Sequence, residues 1–287
     1  MAHQPGDPNA GERGDHARRH ARGSDSQWRT AITRIEPNSI LIRGYPVDEL
    51  MGRLSFGEAV YLILRGELPT RSIGRLFSAV LVSSLDHGVT PPSTLAALNV
   101  TTTGAPLGSA AAAGILGFGV HHAGDIEACM RFLDEGLARV RNGTPMADAA
   151  RGMVQAHLQG DQHPPGFGHR IHTRDPRATR LLQMAHELEL DGEHVRLLRA
   201  IERIIEGRPD AATRPLPLNV NGAIAAVCAD LGFPPDLGNA LFIIARVPGL
   251  IAHAHEERQR HGPMRQIDPK DHVYDGPPVR RLPETRR

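Results

Sequence analysis

Apolar residues recur at helical spacing through most of this chain, and that periodicity constrains its fold more than any other feature. In Arg71–Asp86 the apolar side chains fall on one stripe, at Leu76, Val80, Leu81 and Leu85. We find almost none of the alternation typical of strands and interpret the pattern as helical from Trp28 onward. The sequence therefore predicts an all-α fold. Further helices are predicted at Ala110–Val120, Asp125–Val140, Pro145–Gln159, Pro176–Glu189, Glu193–Glu206, Gly222–Leu231 and Asp236–His255.

Local signals indicate where some of these elements begin and end. Ser55, followed three residues later by Glu58 and then by an apolar run, is a capping-box pattern. The pair Pro91-Pro92 interrupts the helical pattern, so a break is predicted there. Residues 1–27 are charged and polar without apolar periodicity, which predicts a disordered tail.

The charge balance and the lysine content argue against several function classes. The 287 residues carry a formal net charge of +1, so no nucleic-acid partner and no membrane partner is expected. Lys270 is the only lysine, and its place near the polar C-terminal end suits neither a P-loop nor a Schiff-base enzyme.

Cysteine usage and hydropathy bear on the compartment. Cys129 and Cys228 lie far apart and form no CxxC motif, which argues against a disulfide framework and against a cysteine zinc site. This usage suits a reducing cytosol, and the polar N-terminal residues show no signal-peptide pattern, so a cytoplasmic location is expected. The most apolar run, Leu107–Val120, is too short to span a bilayer and predicts a buried helix.

Histidines, arginines, glycines and amides concentrate in a few segments outside the predicted helix interiors. A metal site is one interpretation of these residues, with His121, His122, Asp125, His169 and His172 as the candidate ligands. Their spacing matches no closed zinc pattern and there is no HExxH, so no metal is predicted. The segments are Asp86–Gly88, His121–Asp125, Pro164–Arg177, Asn219–Gly222, Ala245–Gly249 and Gly262–Arg265.

These segments resemble, in the same order, those of one enzyme family. RGYPVDELMGRLSFGEAVYLILRGELPT (residues 43–70) is similar to the opening of citrate synthases. TGAPLGSAAAAGILGFGVHHAGDIEA (103–128) resembles the first histidine segment of bacterial citryl-CoA lyases, and PGFGHRIHTRDPR (165–177) the second histidine loop. PLNVNGAIAAV (217–227) resembles the acidic segment, and residues 245–265 the closing helix and arginine. The chain is thereby identified as a member of the citrate synthase superfamily.

The resemblance implies a fold, an assembly and a reaction. The expected fold has a large helical domain, formed by residues 28–123 and 225–287, and a small one formed by residues 124–224. A homodimer is expected, with the site in the cleft between the domains. The implied reaction makes or cleaves a carbon–carbon bond between an acetyl-CoA-type thioester and an oxo-acid such as oxaloacetate. Coenzyme A enters as a thioester substrate, and no permanently bound cofactor is expected.

The resemblance also implies a role for each site residue. His122 would donate to the thioester oxygen, and His169 would act at the hydroxyl or keto oxygen. The substrate carboxylates would meet His87, Arg177 and Arg246, while Arg265 would reach into the neighbouring subunit's site. The turn Gly166-Phe167-Gly168 would let the backbone approach the CoA adenine, and Arg174 would pair with a CoA phosphate.

Asn221 is the main departure from the family pattern, which has an acid–base aspartate there. An amide cannot shuttle a proton near pH 7, although it caps a helix as well as aspartate does. One alternative is therefore a catalytically impaired homologue that still binds CoA or a tricarboxylate. A second departure is Asp125, where the lyase pattern usually has a small residue. Asp125 is interpreted either as a first-turn residue that favours the helix dipole or as a displaced catalytic carboxylate.

Overall fold

The computed structural model describes residues 28–160 and 162–282, and this part of the chain is mostly helical. The predicted predominance of helices is confirmed. The chain divides into two compact units, one ending at Met51 and the other beginning at Gly52. The predicted tail 1–27 lies outside the described residues, and the division into a large and a small domain stays a prediction.

The first unit corrects the helical interpretation of the residues after Trp28. It contains a three-stranded antiparallel sheet, in which Thr33 pairs with Ile42 and Ile42 with Tyr45. The signals were in the turns, because Asn38 and Arg43 adopt positive φ, as tight connections between strands require. Strands this short show too little alternation to be recognised. The elements are β1 (Thr33–Glu36), β2 (Ser39–Ile42), β3 (Tyr45–Pro46) and the short helix α1 (Val47–Leu50).

The second unit is built from helices joined by short connections. The predicted capping box is confirmed, since Ser55 accepts the backbone N–H of Glu58 and the Glu58 carboxylate accepts that of Ser55. The break predicted at Pro91-Pro92 is confirmed, because the preceding helix ends at Ser83, and Pro92 also begins the next helix, since proline suits the first helical position. The helices are α2 (Phe56–Arg65), α3 (Arg71–Ser83), α4 (Pro92–Thr102), α5 (Leu107–Leu116), α6 (Asp125–Arg141), α7 (Met146–Gln159), α8 (Pro176–Glu187), α9 (Glu193–Glu206), α10 (Val220–Asp230), α11 (Pro235–Arg260) and a 3-10 turn (Pro269–Asp271).

Helix α10 lies at the centre of the core of this unit. Its residues from Ala223 to Cys228 are all buried, and it packs against α6, α8 and α9. Fully buried leucines and isoleucines of α6, α9 and α10 fill the space between these helices. Truncating such a side chain to alanine costs about 2–5 kcal/mol. The start of α10, where Asn219 to Gly222 lie, is therefore held by a rigid core.

Helix α11 is long and apolar enough to cross a membrane by length and composition alone. The core helix of a protein without membrane spans can pass the same test. Here α11 packs against α3, α4, α5 and α6 and buries Leu241, Ala245, Leu250 and Ala254. It therefore serves as a core helix of the second unit.

His194, in the first turn of α9, joins three helices through two carboxylates. Its Nδ1 lies 2.9 Å from Asp230 Oδ1 and its Nε2 lies 3.0 Å from Asp134 Oδ1. Asp230 also accepts the backbone N–H groups of His194 and Val195. Burial alone would lower the pKa of His194, but the hydrogen bonds to the two carboxylates outweigh it and raise the pKa above its ordinary value.

This arrangement predicts that His194 stabilises the protein most at low pH. Because the folded-state pKa is raised, the contribution is complete below the unfolded value near 6.5 and is lost as pH rises through the folded value. His194→Gln should lower the free energy of unfolding by about 2 kcal/mol at pH 6, and by less at pH 9. Urea unfolding at both values measures the difference. His186→Gln, at an exposed pair with Asp191, is the control; equal losses for His194→Gln at both values would contradict the prediction.

Candidate active site

Arg246 is a buried cation with an unused donor. Arg246 lies in the middle of α11 and is only 1% exposed. The guanidinium donates from Nε to the carbonyl of Ser84 (2.8 Å) and lies over the ring of Phe242, 4.7 Å from its centroid. Within the described residues Nη1 has no hydrogen-bond partner. Because a buried guanidinium without an anion is costly, this donor fits an incoming carboxylate.

His87 follows α3 and belongs to the same electropositive group. Partial desolvation lowers its pKa, and the positive charges of Arg246 and Arg177, together with His169 when that ring is protonated, lower it further. Its loop is fixed by Asp86, which accepts the backbone N–H of Gly88 (2.9 Å) and lies 3.0 Å from Nε2 of His253. The structure therefore brings together four of the predicted site residues, and the field at His87 attracts anions.

His122 lies in the connection before α6, and Ser93 of α4 orients its ring. His122 Nε2 is 2.8 Å from the Ser93 hydroxyl, and the ring lies 5.0 Å from that of Phe118. No other hydrogen bond to the ring is made within the described part of the chain, so Nδ1 is the nitrogen left for a ligand. Burial, followed by the charges of Arg246 and His87, lowers the pKa of His122, so the neutral ring dominates at pH 7.

The tautomer of His169 is set by the backbone of the loop that contains it. Nδ1 accepts the N–H groups of Ile171 (3.1 Å) and His172 (2.9 Å), so the neutral ring carries its proton on Nε2. Burial lowers the pKa of His169, as do the nearby His172 and Arg177, while Asp175 opposes them. His169 is therefore a neutral donor, the form suited to a keto or alkoxide oxygen.

Asp175, which is buried, ties this loop to α10. It receives two hydrogen bonds from the Arg177 guanidinium (3.0 and 2.8 Å) and one from the backbone N–H of Val220 (3.0 Å). Burial raises the pKa of Asp175, but its bonds with Arg177 outweigh this and hold the pKa below its usual range. Arg177 is thus anchored by an ion pair while part of its side chain stays exposed.

The glycine turn 166–168 docks on the start of α10. A Cβ at Gly166, which has a φ of +83°, would lie 2.6 Å from the Cα of Gly222. Phe167 is buried in the core, and Gly168 donates to the carbonyl of Pro217 (2.7 Å). These residues therefore bring the loop close to residues 217–222. Their predicted contact with CoA adenine stays a prediction, as does the phosphate contact of the exposed Arg174.

Arg265 lies outside this cluster. Its guanidinium donates to the Glu257 carboxylate at 2.6 Å, and the neighbouring Met264 donates to the carbonyl of Thr102. Glu257 is buried, and its Oε1 has no partner among the described residues. The predicted role of Arg265 in a neighbouring subunit's site stays a prediction.

Asn221 and Asp125 face one another where α10 and α6 begin. The N-cap of α10 is Asn219, which accepts from the backbone N–H of Gly222 (3.1 Å), so the capping role considered for Asn221 is wrong. Asp125 Oδ2 accepts the backbone N–H of Gly166 (3.2 Å). Burial raises the pKa of Asp125, and hydrogen bonding from Gly166 and from the amides of Asn219 and Asn221 offsets only part of the rise.

The sequence did not single out Ser93 for the site, and it included Asn219 only as part of the segment Asn219–Gly222, without a role. Ser93 is a buried hydroxyl in an Ala- and Thr-rich helix, and nothing in its neighbours along the chain marks it. Asn219 had a signal, because an asparagine before an apolar helix is a common N-cap. Among the described residues, no three histidine, cysteine or acidic side chains converge as metal ligands.

Comparisons with known proteins identify one family. Residues 71–267 match the family described as "Citrate synthase, C-terminal domain". The chain is 32% identical over 208 residues to a citrate synthase of Deinococcus radiodurans, covering 71% of this chain and 52% of that protein. It is 31% identical over 219 residues to citrate synthase 2 of Bacillus subtilis, covering 75% and 54%. The chain thus spans about half the length of these relatives.

A solved structure matches over almost its whole length. Citryl-CoA lyase from Hydrogenobacter thermophilus superposes with a TM-score of 0.80 at 42% identity, covering 90% of this chain and 98% of that one. A citrate synthase from Thermoplasma acidophilum shares the fold, with a TM-score of 0.66 at 23% identity, covering 79% and 58%. With the family match over residues 71–267, these findings show that the chain belongs to the citrate synthase family.

Proposed function

We propose that the chain catalyses citryl-CoA cleavage to acetyl-CoA and oxaloacetate, or its reverse. One observation carries the proposal: the buried guanidinium of Arg246 has an unused donor and interacts electrostatically with His87 and Arg177. Such a pocket favours the carboxylates of an oxo-acid over a neutral substrate. The likeness to the Hydrogenobacter citryl-CoA lyase supports the cleavage direction.

The two histidines supply neutral donors for two different oxygens. His122 offers Nδ1 to the thioester oxygen, where negative charge grows as the enolate forms, because Ser93 occupies its Nε2. His169 offers the Nε2 proton to the oxygen that alternates between ketone and alkoxide, since backbone N–H groups occupy its Nδ1. Backbone donors thus assign the proton of His169 to Nε2, and the proposal has the Ser93 hydroxyl donate to Nε2 of His122, which leaves the His122 proton on Nδ1.

The remaining contacts belong to the same proposal. We place the CoA nucleotide against the turn Gly166-Phe167-Gly168 with Arg174 near a phosphate. We place Arg265 in the neighbouring site of a homodimer located in the cytoplasm. These assignments rest on the resemblance of the segments and on the relatives' names.

The second candidate is a homologue that binds CoA or citrate without turnover. Asn221 favours it, because its amide replaces the family's proton-carrying aspartate. An activity assay separates the candidates, since both predict binding and only the first predicts product.

Ligands should stabilise the protein, and citryl-CoA should be consumed. A ligand at 100 times its Kd adds about 2.7 kcal/mol of apparent stability, so melting temperatures should rise with citrate and with CoA. Acetate at equal concentration is the control and should give a smaller shift. Oxaloacetate released from citryl-CoA is measured by coupling to its reduction. Binding without product would favour the second candidate, and no melting shift with either ligand would count against both.

A further inference from the structure

A carboxyl group already faces the amide that interrupts the family pattern. Asp125 is the first residue of α6, and the backbone that it binds at Gly166 packs against Gly222, next to Asn221 at the start of α10. Oδ2 of Asp125 accepts a hydrogen bond from the backbone N–H of Gly166, which lies in the loop that carries His169. Asp125 thus sits where the two histidine segments and the former acidic segment meet.

Asn221 has an unsatisfied atom at this junction. Its Oδ1 is buried and has no hydrogen-bond partner within residues 28–160 and 162–282. A buried acceptor of this kind costs free energy unless a donor reaches it. The amide of Asn221 lowers the pKa of the Asp125 carboxyl group, whereas an aspartate at position 221 would bring a second negative charge close to it.

Resting on the proposed function, we propose that Asp125 is the acid–base residue at the carbon next to the thioester, in place of the carboxylate missing at position 221. The amide at position 221 is uncharged, so it adds no second negative charge near Asp125.

The charge state of Asp125 agrees with a role in proton transfer. Among the described carboxyl groups with a resolved shift, its pKa alone is raised, with burial as the first cause. The pKa values of Asp86 and Asp175 are lowered. Asp86 interacts with His253, and Asp175 with Arg177. A raised pKa makes the ionised carboxylate a stronger base than an ordinary aspartate, which suits a group that accepts and returns a proton.

The proton transfer conserves atoms and charge in both directions. In bond formation, the Asp125 carboxylate takes a proton from the acetyl methyl group. The C–H bond breaks, an O–H bond forms, and the electron pair moves to the thioester oxygen as an enolate beside His122. In cleavage, the tertiary hydroxyl releases its proton to solvent as the ketone forms and the C–C bond breaks. The electron pair of that bond forms a new C–H bond with the proton that Asp125 returns, and water then reprotonates Asp125.

The test follows proton transfer and cleavage separately in four proteins. Wild type, Asp125→Asn, the swap variant (Asp125→Ala with Asn221→Asp) and Asp148→Asn are compared. Asp148 is an exposed first-turn aspartate of α7 and serves as the matched control. The readouts are citryl-CoA turnover, exchange of acetyl-CoA methyl protons into deuterated water, and CoA affinity by calorimetry.

Asp125→Asn should lower turnover and exchange ~10²–10⁴-fold with CoA affinity nearly unchanged, the size of a general acid–base contribution. Asp148→Asn should leave all three readouts unchanged. The swap variant should recover both rates to within about tenfold of wild type, because it returns a carboxylate to position 221. Should Asp125→Asn melt far below wild type, the swap variant decides, since it also lacks the Asp125 carboxylate.

Wild-type rates in Asp125→Asn would overturn the assignment of Asp125, and a folded swap variant without activity would overturn the claim that Asp125 takes the place of the carboxylate missing at position 221. In the first case wild type still cleaves citryl-CoA, so the proposed function survives. If wild type exchanges the methyl protons of acetyl-CoA but does not cleave citryl-CoA, the proposed substrate is wrong and the role of Asp125 stands. If wild type shows neither exchange nor cleavage, the proposed function and the role of Asp125 are both overturned.

Discussion

Arg246→Met should weaken citrate binding about 10²- to 10³-fold while leaving the fold stable. Truncating one partner of a buried, hydrogen-bonded charge pair typically costs 2–5 kcal/mol, because the other charge stays buried and unpaired. In the complex the stranded group would be the substrate carboxylate. Calorimetric titration with citrate measures the loss.

The stability of the same variant should change by no more than about 1 kcal/mol. Without ligand, Arg246 is a buried cation with a free donor, and burial lowers its pKa. Methionine removes that desolvation cost and keeps the contact with Phe242, which offsets the lost hydrogen bond to the Ser84 carbonyl. Arg260→Met, at the exposed end of α11, is the matched control and should affect neither binding nor stability.

The two readouts together decide whether Arg246 serves the ligand or the fold. A large loss of unfolding free energy with normal citrate affinity would assign Arg246 to structure and remove the observation that carries the proposed function. The expected pattern is the opposite one, in which affinity falls and stability does not.

His122→Ala should lower turnover about 10²- to 10³-fold with little change in CoA affinity. Removing one preorganised donor to a developing oxyanion has an effect of this size, because the donor matters most when the charge forms. Steady-state kinetics with citryl-CoA would show the loss in kcat rather than in KM. Turnover unchanged from wild type would exclude His122 as the donor.

Two neighbouring substitutions sharpen this experiment. His121→Ala removes an exposed ring one residue away and should leave kcat unchanged. Ser93→Ala keeps His122 but frees its Nε2, so it should lower kcat by less than His122→Ala does. A His121 variant as impaired as the His122 variant would show that the segment, rather than one ring, is responsible.

Much of the fold could be predicted from the sequence because its determinants are local. Ser55 and Glu58 are three residues apart, and the helix that they cap begins as predicted. The stripe of α6 likewise places Ile126, Leu133 and Leu137 in the core. The small sheet was missed because its strands are short, and α4 because its apolar residues form no stripe.

The resemblance named the site residues, but it could not give their hydrogen-bond partners. His122 contacts Ser93, and Arg265 contacts Glu257. The distance along the chain between the partners predicts neither contact. His169 is an exception, since its tautomer is set by its own loop.

The sequence by itself determined that this chain is predominantly helical, that it carries the histidine segments of the citrate synthase family, and that Asn221 replaces a carboxylate. Only the tertiary structure decided where the compensating carboxyl group lies. Asp125 begins a helix, as the dipole interpretation expects, yet its carboxylate reaches Gly166, 41 residues away. That contact exists because α6 and α10 pack together and the glycine turn docks on both. Packing between distant segments is set by the whole core, and no local pattern encodes it.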